Sequence, residues 1–177
     1  LYITLTVFLA VGAVAFLLQS AIAIRTDSEL DYGEGIVLWQ TANVTNWKKA
    51  FRPIEEYPHI VFHYTPLFHL TSRAVSHFTS TLLEAGRLTS ILSLAGTCLV
   101  GALLTAWSLP PGGSRFARFI GAFTAGTLVF TTPMWTWGVL MRVDMLSIFL
   151  TVCGVALFVL ARRKPALAFL SFCLFVA

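Results

Sequence analysis

Twenty-four residues, Leu1 to Ile24, pass without a single charge, and no other feature of the sequence limits the fold so strongly. At about 1.5 Å of rise per residue such a helix reaches roughly 36 Å, enough to cross a hydrocarbon core of about 30 Å with some tilt. The run is therefore read as a first transmembrane helix, residues 1–24. A cleaved leader is the rival reading, and Ala21-Ile22-Ala23 has the small-x-small look of a cleavage site. Against it stand the length of the run and the lack of a basic start.

Further apolar runs follow at 88–107, 119–141 and 145–161, and a last one opens at 166 and continues to residue 177. The second is closed by Ser108-Leu109-Pro110-Pro111-Gly112-Gly113-Ser114, a Pro/Gly cluster that ends a helix. The third holds Pro133 beside Thr131 and Thr132, a place where a membrane helix kinks and hydroxyls cap the freed carbonyls. Composition agrees: 57% of residues are hydrophobic, 11% are charged, and the mean hydropathy is +0.81, against about a quarter charged in soluble domains. Twelve Lys and Arg against eight Asp and Glu are scattered between apolar runs and form no patch, which argues against nucleic acid. Cys98, Cys153 and Cys173 lie inside apolar runs and suggest neither a disulfide framework nor a metal motif. Gly121 with Ala125 and Ala122 with Gly126 give small-xxx-small spacings that permit close helix approach. The chain starts without Met and stops within an apolar run, so it is expected to be a piece of a longer protein.

Short basic loops set orientation. Arg115 and Arg118 separate helices two and three, while Arg162, Arg163 and Lys164 separate helices four and five. Both clusters are expected in the cytoplasm, which places residues 25–87 and the turn around Arg142 to Asp144 on the opposite side. The expected fold class is all-α: a polytopic transmembrane helix bundle with a long extracytoplasmic first loop that contains interfacial helices.

That loop gathers the polar chemistry. Asp31 and Glu34, in Asp31-Tyr32-Gly33-Glu34-Gly35, sit just above the first helix. Ile36, Trp39, Asn43 and Trp47 recur at helical spacing, setting two tryptophans on one face of an interfacial helix, where an ordinary aromatic belt explains them equally well. Residues 55–70 are aromatic but interrupted by Pro58 and Pro66, and are expected to dip into the interface or pack over helix ends. Glu56, His59 and His63 have the spacing of a divalent-metal site if helical; solvated, hydrogen-bonded histidines are the plainer alternative. Arg87 at the start of helix two, and Arg142 and Asp144 between helices three and four, fall on the same side as Asp31 and Glu34. Snorkelling arginines and a structural charge pair are the bland readings of these positions.

Taken in order, Asp31-Tyr32-Gly33-Glu34-Gly35, Tyr64-Thr65-Pro66-Leu67, Gly86-Arg87-Leu88 and Arg142-Val143-Asp144-Met145-Leu146 resemble the N-terminal part of the GT-C fold glycosyltransferases. The similarity is to the bacterial branch near the dolichyl-phosphate-mannose-protein mannosyltransferases and aminoarabinose transferases. It covers nearly all of this chain. The resemblance implies a polyprenyl-phosphate sugar donor, a lipid, glycan or protein acceptor, and inverting transfer outside the cytoplasm at a bacterial inner membrane. It also implies an acidic residue of the first outer loop acting on the acceptor. Family members often carry adjacent Asp-Glu there; this chain separates the two, so Glu34 is expected as the base with Asp31 as partner or substitute. A phosphate leaving group needs positive charge, for which Arg87 and Arg142 are the candidates, with Lys48, Lys49 and Arg52 behind them. His63, Tyr64 and Asp144 are expected near the same pocket. No cofactor is called for, apart from the metal option at Glu56, His59 and His63. The alternatives are a transporter or flippase, or a non-catalytic scaffold subunit. A transporter needs polar groups at mid-membrane, and helices one, two and four are read as having none.

Overall fold

A computed structural model of the 177-residue chain describes residues 2–109, 114–127, 134–161 and 166–176. Among these the secondary structure is helical, with no strand. The helices are α1 (Tyr2–Arg25), α2 (Tyr32–Asn43), α3 (Trp47–Ala50), α4 (Leu67–Val75, extended by a 3-10 turn Ser76–Phe78), α5 (Leu82–Ser108), α6 (Arg115–Thr127), α7 (Met134–Trp137), α8 (Asp144–Ala161) and α9 (Ala166–Val176). Three of them are long and apolar enough to cross a membrane: α1 over Ile3–Arg25, α5, and α8. Along α1, Val7, Val11, Val14, Leu18 and Ile22 stand exposed. A continuous apolar face of that kind suits lipid and not water.

Helix α5 begins at Leu82, six residues before the apolar run does. Thr81 caps it by accepting from the Glu84 N–H at 3.1 Å, and the Glu84 carboxylate accepts from the Ser80 N–H at 2.9 Å. The Thr81-to-Glu84 spacing is that of a capping box, so the helix projects beyond the hydrophobic stretch and carries Arg87 in its second turn. On the same helix Thr89, Ser93 and Thr97 form a buried row, which corrects the reading of helix two as free of polar groups. Each hydroxyl bonds the carbonyl four residues back, at 2.7–2.9 Å, so the row is satisfied within its own helix.

Helix three was expected over 119–141. Helical structure covers Arg115–Thr127 and Met134–Trp137; residues 128–133, with Thr131, Thr132 and Pro133, lie outside the described residues, as do Arg162, Arg163 and Lys164. After Trp137 the chain leaves the helix, because tertiary partners take over the backbone. The Met141 N–H goes to Glu34, while the Ser90 hydroxyl donates to the Arg142 carbonyl at 3.1 Å and accepts from its N–H at 3.3 Å. The small-xxx-small positions are where α6 meets α5: a Cβ on Gly126 would lie 3.0 Å from the Cys98 carbonyl.

In the segment between α1 and α5 the expected interfacial helix stops at Asn43, and Trp47 belongs to the separate α3. The face of α2 that matters is Glu34, Val37, Gln40 and Thr41, all buried. Val37 packs with Phe68, Leu83 and Met141, and a second cluster joins Phe16, Ala23, Leu94, Val139 and Met145. The core therefore sits at one end of the bundle, where the C-terminus of α1 and the N-termini of α2, α5 and α8 come together.

Candidate functional site

Two charged groupings lie at that end, and they differ in kind. The first is closed. Arg87 donates from Nε to Glu34 Oε1 (2.9 Å) and from Nη2 to Glu34 Oε2 (2.7 Å). Its other N–H groups go to the carbonyls of Ala23 (2.7 Å), Thr26 (2.5 Å) and Ser28 (2.8 Å). A guanidinium has five N–H donors, and all five are engaged. Two of these carbonyls, Ala23 and Thr26, belong to the end of α1, where a helix leaves carbonyls unpaired. Glu34 also accepts from the N–H of Leu30 (2.7 Å, at Oε2) and of Met141 (2.8 Å, at Oε1). That fills two positions on each oxygen. Both side chains are 0% exposed. Burial alone would push the Glu34 carboxyl up, but the bonds from Arg87, Met141 and Leu30 together hold it below its ordinary value.

The second grouping is open. Arg142 lies between two carboxylates, 3.2 Å from Asp31 Oδ2 and 3.4 Å from Asp144 Oδ2, and stacks 4.3 Å from the centroid of Trp137. Asp31 is positioned by helix chemistry: it is the N-cap of α2, in extended conformation, and accepts from the Gly33 N–H at 3.1 Å. Its side chain keeps 28% exposure, and that of Asp144 43%. Asp144 in turn lines a cavity of about 280 Å³. One wall is His63, Tyr64, Thr65, Leu67 and Phe68; the other is Val143 and, on one face of the start of α8, Leu146, Ser147 and Leu150. The His63 and Tyr64 rings lie 3.9 Å apart. Its lining mixes polar side chains, His63, Tyr64, Thr65, Asp144 and Ser147, with apolar ones, Leu67, Phe68, Val143, Leu146 and Leu150, and part of it is the start of a membrane-length helix.

The expected residues thus separate. Asp31, Arg142, Asp144, His63 and Tyr64 are brought to one open region. Glu34 and Arg87 stand behind it, with neither exposure nor spare hydrogen-bonding capacity, so the geometry is against Glu34 as a base and against Arg87 as a phosphate ligand. Glu56, His59 and His63 do not gather: the segment around Pro53, Pro58 and Pro66 is not helical, and no metal-binding group of three occurs among the described residues. His59 Nδ1 lies 2.9 Å from the Ile54 carbonyl and His63 Nδ1 3.0 Å from that of Val61. Lys48 and Lys49 are exposed on α3, and Arg52 stacks on Trp39 and donates to the Tyr57 carbonyl, away from the cavity.

Sequence reading missed Ser90, which holds the Arg142 backbone, and Trp137, which stacks on its guanidinium. It also missed the α8 wall, although 143, 146, 147 and 150 follow the helical period. His69 was passed over as one of several loop histidines. It is fully buried, and because Thr41 Oγ1 donates to the Val37 carbonyl at 2.7 Å, His69 Nδ1–H donates to Thr41 Oγ1 at 2.8 Å. Burial, with a smaller contribution from His63, pulls its pKa down to about 4.

No family model, characterised protein or solved structure matches this chain.

Proposed function

We propose that the chain belongs to an integral-membrane glycosyltransferase of GT-C type, which moves a sugar from a polyprenyl-phosphate donor to an acceptor on the extracytoplasmic side of a bacterial inner membrane. The observation that carries this reading is the placement of Asp31, Arg142 and Asp144 together beside a cavity lined by both polar and apolar side chains. The cavity stands at the start of α8, a helix long enough to span a bilayer. A lipid-linked phosphosugar likewise has a polar head and an apolar chain.

In this reading Asp31 is the base. Its carboxylate takes the acceptor proton as the acceptor oxygen or nitrogen bonds to the anomeric carbon. The bond from that carbon to the phosphate oxygen breaks, and the lipid phosphate leaves with the electron pair. Inversion follows from attack opposite the leaving group. Arg142 answers the charge that grows on the phosphate, and Trp137 beneath it keeps the guanidinium in place. Asp144 holds the guanidinium from the cavity side, and His63 and Tyr64 offer hydrogen bonds to sugar hydroxyls. The basic loops at Arg115 and Arg118, and at Arg162 to Lys164, support the extracytoplasmic side for this end.

The test is transfer of labelled sugar from polyprenyl-phosphate donors by membranes that contain the full-length protein. Asp31→Asn is expected to lower the rate by roughly 10²–10⁴-fold, the range for loss of a general base, with expression and melting unchanged. Wild-type activity retained in Asp31→Asn sinks the assignment of the base; no transfer from any donor by the wild type sinks the transferase reading and leaves transport or a scaffold role.

A further inference from the structure

Glu34 bonds the backbone immediately before each of the two residues that matter in the open cluster. Its Oε2 accepts from Leu30 N–H, the residue preceding Asp31; its Oε1 accepts from Met141 N–H, the residue preceding Arg142. Residues 31 and 142 come from segments more than a hundred positions apart, and the Asp31–Arg142 pair at 3.2 Å is the direct link between them. A 3.2 Å contact between partly exposed side chains does not fix two backbones by itself. The buried carboxylate does, because Arg87 locks it to α5 and to the end of α1 through five further bonds.

We infer that Glu34 and Arg87 form a positioning pair that sets the spacing between Asp31 and Arg142, and that neither touches substrate. As a statement about catalysis this rests on the transferase reading above; as a statement about geometry it does not. With all lone pairs and all N–H groups engaged inside the protein, the pair has nothing to offer a ligand, and its effect is transmitted through two backbone amides.

Nitroxide labels at Tyr32 and Ser147, both exposed, in the full-length protein in nanodiscs report the spacing directly. The wild type is expected to give a narrow distance distribution, and Glu34→Gln and Arg87→Lys broad ones. Val44→Ala, in the separate cluster with Ala50 and Phe62, weakens packing elsewhere and is expected to leave the distribution narrow. Each is recorded well below its own melting temperature. In transfer assays Glu34→Gln should lower kcat by roughly 10–100-fold with donor KM changed by less than about threefold, as expected when a reacting group is displaced and not removed. A distribution in Glu34→Gln as narrow as in the wild type, or equal broadening in Val44→Ala, overturns the inference, as does a loss of activity in Glu34→Gln that appears in donor KM and not in kcat. If the wild type transfers no sugar, the transferase reading falls, while the distance measurement still decides the positioning role.

Discussion

Every N–H of Arg87 is engaged inside the protein, two of them by the carboxylate of Glu34 at 2.9 and 2.7 Å, and neither side chain is exposed to solvent. An ion pair taken out of water gains little net stability, because desolvation offsets most of the attraction. What it gains is intolerance of change. Removing either partner leaves a buried charge without its counter-charge.

Glu34→Gln and Arg87→Gln are each expected to destabilise the protein by roughly 3–5 kcal/mol. The double variant should lose clearly less than the sum, with a coupling of about 1–3 kcal/mol as found for contacting residues. Denaturant titration of the purified protein in mixed micelles measures all three. Additive losses would show that the two side chains act independently.

His69 predicts a pH dependence. Its folded pKa, about 4, lies below the ordinary value of 6.5, so between these limits the unfolded chain binds a proton that the folded one refuses. Stability is then complete above about pH 6.5 and declines as pH falls toward 4, by roughly 3 kcal/mol at most across the window. Glu34 acts the same way at lower pH: its folded pKa is depressed, so its contribution is lost only as pH drops below the ordinary 4.5. His69→Gln should flatten the melting-temperature profile between pH 4 and 6.5 and leave the fall below 4.5. An unchanged slope in that variant would mean that another group carries it.

How much of this was legible beforehand depends on whether the deciding interaction was local. Uncharged runs gave the membrane-length helices, since length and hydropathy are properties of consecutive residues; Asp31 as a loop carboxylate and Arg142 beside Asp144 were likewise visible as near neighbours. Glu34 and Arg87 were also singled out, as reactive groups; their full burial was not visible, because burial depends on what distant segments do around them. The bonds to Met141, Ala23 and Ser28 have no sequence signature. The start of α5 was legible in Thr81 and Glu84, and was overshadowed by the apolar run beginning at Leu88. His69 was hidden for the opposite reason, since four histidines in one polar stretch look alike until one of them is covered by Thr41, Phe62 and Phe68.

The cap gives the third prediction. Thr81→Ala removes the acceptor for the Glu84 N–H and should lower stability by about 1 kcal/mol, whereas Thr81→Asp should retain most of it. Since Arg87 lies in the second turn of this helix, Thr81→Ala is also expected to speed amide exchange at Leu83 to Ala85. Exchange confined to the wild-type rate there would argue that tertiary packing, not the cap, holds the first turn.

Gly86 and Met141 give the last. Gly86 lies on α5 against the Met141 side chain, which is 0% exposed, and a Cβ at position 86 would overlap the Met141 Cγ and lie within 3 Å of its Sδ and Cε. An alanine in a helix is intrinsically better than glycine by about 1 kcal/mol, so an open site would be stabilised. This one is closed, and Met141 is fully buried with Val37, Phe68 and Leu83, so overpacking of about 1–3 kcal/mol should prevail. The displacement would also pull the Met141 N–H from Glu34, which is the bond that sets the entry to Arg142. Gly86→Ala is therefore expected to destabilise, and to do so far less once Met141→Ala has emptied the space. The double variant should be no worse than Met141→Ala alone. If Gly86→Ala instead stabilises the protein, then the turn at 138–143 yields easily, and the rigid spacing between Asp31 and Arg142 has lost one of its supports.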